Sequence, residues 1–367
     1  MRLVRSVLLL ALLQLSAALH AELPASLQDL GLRESKQASR DLPGWKPPTR
    51  VVVRSVFGPE SVKPIQAAFP GIEIVPVTSV AEAVAAIPGA QVLVGFCNQD
   101  IFDAADSLQW VQVYFAGVEN CVSQPAMQSG RLTLSNGQRL GSPTLADHSM
   151  ALMYALVREL DISQQSQARQ TWESSWGAPL PAMGEVAGRT MLVVGLGGIG
   201  TQVAKRAHGV GMRVIATRGS RREGPDYVEY VGLAHEAIEL AARADVVVNA
   251  APLTDSTRGM FNAAFFKAMK PSAYFISVGR GKSTVTDDLV AALRKGEIAG
   301  AGLDVTDPEP LPDGHALWGM PRVIITPHVA GRSLEAGQRI FALVGENLRR
   351  YAAGEPLLSV GDIEKGY

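Results

Sequence analysis

The segment MLVVGLGGIGTQVAKRA (191–207) restricts this chain more than any other. An apolar run leads into glycines at 195, 197 and 200, and a helical pattern follows without a break. In a strand–turn–helix unit the three glycines answer separate steric demands: a tight turn, close approach of backbone to a pyrophosphate, and packing of helix on strand. Gly195, Gly197, Gly198, Ile199 and Gly200 are therefore the expected pyrophosphate-binding positions, a reading that rests on the strand and helix as well as on the spacing. The next apolar run, VIATRGSRR (214–222), ends in arginine where a carboxylate would hydrogen-bond the ribose 2′-hydroxyl of NAD. Arg218, Ser220, Arg221 and Arg222 would instead hold a 2′-phosphate through charge-assisted bonds. NADP(H) is thus the expected cofactor, with NAD(H) as the alternative.

This unit is the second of two series. The runs RVVVRSV (50–56), GIEIVPV (71–77), AQVLVGF (90–96) and LQWVQVYF (108–115) alternate with helical stretches such as SVKPIQAAF and SVAEAVAAI, which implies a parallel sheet. A long helical pattern at 144–170 carries the chain to the glycine unit, after which ADVVVNAAP, SAYFISVGRG, AGAGLDV and RVIITPH supply further strands. The expected fold class is α/β, with two Rossmann-like domains on parallel sheets. A cofactor domain (148–327) is inserted into a substrate domain made of 50–147 and 328–367, the latter with a returning C-terminal helix at 333–355. The active cleft would lie between them. With 34 Lys and Arg against 35 Asp and Glu, net charge −1, no basic excess points to nucleic acid.

Three further motifs resemble those of the D-isomer-specific 2-hydroxyacid dehydrogenases, and the resemblance extends over residues 50 to about 355. VGRGKSTVTDDLVAAL is similar to that family's arginine motif, AGAGLDVTDPEPLP to its glutamate motif and ITPHVAG to its histidine motif, while APLTDSTRGMFN matches another characteristic stretch. The chemistry agrees. Reduction of a 2-oxo acid needs a cation for the carboxylate and ketone, and a proton donor for the developing alkoxide. Arg280 fits the first role and His328 the second, with Glu309 as a carboxylate partner that favours the charged imidazole. The resemblance further implies that Asp304, Pro252 and Val278 line the cofactor site. In YFAGVENC (114–121) it implies that the backbone N–H groups of Ala116, Gly117 and Val118 meet the substrate carboxylate, beside Arg280 and His328. It implies a homodimer and a small 2-oxo or 2-hydroxy acid substrate, of glyoxylate or hydroxypyruvate type. A dinucleotide-sensing protein without turnover and a dehydrogenase of another acid, such as phosphoglycerate, are the competing readings. His148, near the start of the long helix, is expected to be structural, and no metal site is expected.

The N-terminus has its own character. Arg2 and Arg5 precede an apolar run, Val7 to Leu13, and small residues at Ser16, Ala17, Ala18 and Ala21. This is the order of a secretory signal peptide (1–21), so export is expected, with cytoplasmic residence as the alternative. Residues 22–49 carry helix breakers and no sustained period, and are expected to be a tether. The two cysteines, Cys97 and Cys121, follow strands of the first series. Buried free thiols are expected of them, pairing being open only to an oxidising compartment.

Overall fold

β-Branched and aliphatic runs make the strands, as their alternation with helices requires. The structure is a computed structural model that describes residues 23–56, 59–172 and 184–363; the expected leader lies outside them. The first series forms a five-stranded parallel sheet of β2 (Arg50–Arg54), β3 (Glu73–Val77), β4 (Val92–Val94), β5 (Trp110–Gln112) and β6 (Thr133–Ser135), in the order β3-β2-β4-β5-β6. β6 has only three residues, too short for its pattern to register. A buried polar chain holds it: Trp110 Nε1 donates to Ser135 Oγ at 2.7 Å, and Ser135 Oγ donates to Gln112 Oε1 at 2.7 Å.

The second sheet contains β7 (Thr190–Val194), β8 (Arg213–Arg218), β9 (Tyr230–Leu233), β10 (Val246–Asn249), β11 (Tyr274–Ser277), β12 (Gly300–Leu303) and β13 (Val323–Ile325), in the order β13-β12-β11-β10-β7-β8-β9. All its pairings are parallel. Strand order reverses between β7 and β10, and a ligand crevice opens at the carboxyl ends of strands beside such a reversal.

The long helical pattern breaks in two. α1 (Ser142–Val157) ends before Glu159, whose backbone is left-handed (φ 53°), and a second helix runs Leu160–Ala168. The break is held by an ion pair, Arg322 Nη2 to the buried Glu159 Oε1 at 2.8 Å. α1 packs Met150, Met153 and Leu156 with Val203, Ala204 and Ala207 of α2 (Gly198–Gly209) over the second sheet. α3 (Leu334–Ala353) returns to the first sheet. Its Val344, Leu348 and Tyr351 join Val51, Val53, Val92 and Trp110 in one core, with the Trp110 and Tyr351 rings stacked at 5.3 Å. Such a ring pair adds about 0.5–1.5 kcal/mol beyond its buried area.

Two sequence expectations need correction. Residues 23–49 are not a tether. β1 (Glu34–Ala38) pairs antiparallel with β14 (Pro356–Leu358), and Leu27 and Leu30 are buried with Leu140, Leu343 and Leu358. Nor are the cysteines free: Cys97 and Cys121 form a disulfide with their Cα atoms 5.5 Å apart.

Candidate active site

The glycine turn follows β7. Gly195 has φ +95°, and a Cβ there would stand 2.6 Å from Ala251 Cα, so only glycine serves. A Cβ at Gly200 would collide with the Gly195 carbonyl, which lets α2 start directly against the strand. Space at Gly197 is open within 4 Å, so the N-terminal amides of α2 can be approached by an anion. Residues of this kind fit a dinucleotide pyrophosphate.

Arg218 closes β8, and its buried Nε has no hydrogen-bond partner among the described residues. A buried guanidinium N–H without an acceptor is uncommon and fits an anionic ligand such as a ribose 2′-phosphate. Arg221 and Ser220 are exposed beside it. Arg222 departs from the expectation. Its guanidinium grips Glu236 with two bonds of 2.8 Å and donates to Tyr230 Oη at 3.0 Å, so it is already engaged. That fork and the Leu233 amide draw the Glu236 carboxyl down to about 2.

The remaining expected residues stand after β10 to β13. Pro252 follows β10, its carbonyl accepting from Thr257 Oγ1 at 2.7 Å, and Val278 is buried just past β11. Arg280 comes two residues later. Its backbone is fixed by a polar chain: Ser283 Oγ donates to the Arg280 carbonyl at 2.6 Å, and Asn249 Nδ2 donates to Ser283 Oγ at 2.8 Å. Across the cleft the Arg280 side chain lies directly against Gly117, where a Cβ would overlap the guanidinium. Arg280 Nε also donates to Glu119 Oε1 at 3.2 Å. Glu119 lies inside the expected substrate loop (114–121), directly after the three amides singled out there, and nothing in its pattern marked it. The amides of Ala116, Gly117 and Val118 donate to no acceptor among the described residues, while the Ala116 carbonyl accepts from Asn136 Nδ2 at 2.9 Å.

His328 and Glu309 meet: Nδ1 and Oε1 are 2.5 Å apart, and both side chains are nearly half exposed. With Nδ1 turned to Glu309, Nε2 is left for another partner. His328 itself has left-handed backbone (φ 53°), an uncommon conformation in which histidine is enriched. Asp304, expected beside the cofactor, is 2% exposed and holds this loop. Its carboxylate accepts from Val329 N at 2.9 Å, Ala330 N at 3.0 Å and Thr326 Oγ1 at 2.6 Å. His148 Nε2 lies 2.9 Å from Thr326 Oγ1. Asp304 thus acts on His328 through the backbone that carries it.

The disulfide bears on the same cleft. Cys97 follows β4, and Cys121 lies three residues past Val118, in the short helix Glu119–Val122. The segment that follows residues 116–118 is therefore tied to the end of the neighbouring strand.

Comparisons with known proteins agree with this geometry. The sequence profile described as "D-isomer specific 2-hydroxyacid dehydrogenase, NAD binding domain" matches residues 150–330. A glyoxylate reductase of Korarchaeum cryptofilum is 34% identical over 260 residues, 70% of this chain and 77% of that protein. Among solved structures, the NADPH-dependent glyoxylate/hydroxypyruvate reductase of Sinorhizobium meliloti, in complex with NADP and sulfate, aligns with a TM-score of 0.74 at 29% identity, covering 87% of this chain and 100% of that one. A D-isomer-specific 2-hydroxyacid dehydrogenase family protein of Aeromonas salmonicida aligns with a TM-score of 0.76 at 28% identity, covering 86% and 99%. With the glycine turn, the cleft arginine and the histidine–glutamate pair in place, the chain belongs to the D-isomer-specific 2-hydroxyacid dehydrogenases and is an oxidoreductase that uses a nicotinamide dinucleotide.

Proposed function

We propose that the protein reduces a short 2-oxo acid, of the glyoxylate or hydroxypyruvate kind, to its 2-hydroxy acid with NADPH. The observation that carries this reading is the Arg280 guanidinium lying against Gly117, in a cleft whose sheet also presents the His328–Glu309 pair. When bound, the nicotinamide supplies the hydride. Arg280 holds the substrate carboxylate and polarises the ketone; the free amides of Ala116, Gly117 and Val118 receive the other carboxylate oxygen. His328 Nε2 gives a proton to the developing alkoxide, and Glu309 holds the ring in the orientation that allows it. Before substrate arrives Arg280 is paired with Glu119, so the substrate carboxylate exchanges for one already there. Relatives named glyoxylate reductase support the substrate class.

The cofactor preference rests on Arg218 and Arg221. A charge-assisted contact to a 2′-phosphate contributes about 1.5–3 kcal/mol, or one to two decades in affinity. Steady-state rates on a panel of 2-oxo acids should therefore favour NADPH over NADH, and Arg218→Asp should raise KM for NADPH by that factor and leave NADH unchanged. Equal use of the two cofactors by the wild type would overturn the preference.

The same reading includes a homodimer through the cofactor domain, where Leu160 and the almost fully exposed Trp172 offer apolar surface to cover. It also includes export, which the Cys97–Cys121 pair supports, since such bonds persist in oxidising compartments.

A further inference from the structure

We infer that the N-terminal segment before β2 is part of the cofactor site: its Arg33, with Arg139 from the loop that enters α1, joins Arg218 and Arg221 in a four-arginine pocket for the 2′-phosphate. The inference rests on the NADPH reading above and adds to it two residues that lie far from the glycine unit in sequence.

The geometry begins with how the segment is held. Leu27 and Leu30 are buried in the small core with Leu140 and Leu358. Arg139 Nη1 donates to the Leu30 carbonyl at 3.2 Å, and a Cβ at Gly31, itself at φ +65°, would stand 3.0 Å from the same nitrogen. The Arg33 carbonyl accepts from Ser359 N at 2.9 Å, and Glu34 is in register with Leu358. Arg33 is thus fixed by its backbone while its side chain is exposed. On the other side Arg139 lies over the first turn of α2, since a Cβ at Gly198 would stand 2.9 Å from Arg139 Cγ. The stem of Arg139 therefore touches the helix start that faces a pyrophosphate, and its head touches the N-terminal segment.

Electrostatics follow from that placement. Burial first, then the charges of Arg33 and Arg221, hold the Arg139 guanidinium below the usual arginine range. Arg218 is held down by burial and by Arg221, Arg139 and Arg33, with Glu223 alone acting against them. Like charges gathered on a folded surface repel one another unless an anion joins them. No carboxylate makes an ion pair with any of these four among the described residues, and Arg218 Nε is buried without an acceptor. Arg222, one residue further on, is neutralised by Glu236. The cluster is selective in what it leaves without a carboxylate: Arg221 lies three residues past the end of β8, and the charges of Arg139 and Arg33 act on Arg218 there.

Calorimetric titration of the full chain with NADP+ and with NAD+ tests this directly. Arg33→Ala should weaken NADP+ on the order of fivefold, as an exposed charge contact would, leave NAD+ unchanged, and flatten the salt dependence of NADP+ binding; Arg33→Lys should restore most of the loss. If Arg33→Ala binds both dinucleotides like the wild type while Arg218→Asp still loses NADP+, the inference is overturned and the cofactor reading stands. If the wild type itself binds NADP+ no tighter than NAD+, the cofactor reading fails and takes this one with it.

Discussion

His328→Gln is expected to lower kcat for 2-oxo acid reduction by about 10²–10⁴-fold, the usual consequence of losing a positioned proton donor, while NADPH binds as before. The pair distance of 2.5 Å to Glu309 places the imidazole for this role. The substitution is placed to test chemistry rather than folding, because the side chain is 48% exposed and the loop is held from below by Asp304 and Thr326. Glu309→Gln should give a smaller loss, since an amide oxygen can still accept from Nδ1. Asp304→Asn should lower both activity and stability, because the buried carboxylate serves two backbone amides and a hydroxyl at once. Near-wild-type turnover by His328→Gln, measured as consumption of NADPH, would remove His328 from the reaction.

The second large effect is expected at the disulfide. Cys97 and Cys121 are 24 residues apart, and opening a loop of that size releases unfolded-state entropy equivalent to about 3 kcal/mol. The double variant Cys97→Ser with Cys121→Ser should lose about that much stability in urea unfolding, and should show a raised KM for the 2-oxo acid because the tied segment begins just past Val118. Protein isolated from its native compartment without reductant should present no titratable thiol after unfolding. Two free thiols in that sample would refute both the bond in the cell and the export it supports.

What the sequence disclosed and what it concealed divide along physical lines. The glycine turn was legible because each glycine meets a backbone constraint that no other residue satisfies, as the clashes at Gly195 and Gly200 show. The pairing of Glu309 with His328 was legible because motif and chemistry coincided. β1 escaped notice because it is an exposed edge strand whose partner, β14, lies more than 300 residues away, so neither alternation nor a turn signal marks it. Glu119 was invisible for a related reason: its partner Arg280 belongs to the other sheet. The arginine run after β8 could be read as a charge but not sorted, since Arg222 is claimed by Glu236, fourteen positions on, and Arg139 arrives from another domain. The cysteines were misjudged because pairing depends on which loops the fold brings together, and a strand order cannot be read from spacing.

Hydride transfer to the C2 carbon of a 2-oxo acid is the step on which the proposed function turns. NADPH deuterated at its transferable position, incubated with hydroxypyruvate and the wild-type protein, tests it most directly by mass and chiral analysis of the product. The expected product is glycerate of D configuration carrying one deuterium at C2. Unlabelled glycerate, L-glycerate, or no conversion of hydroxypyruvate or glyoxylate at any protein concentration would contradict it.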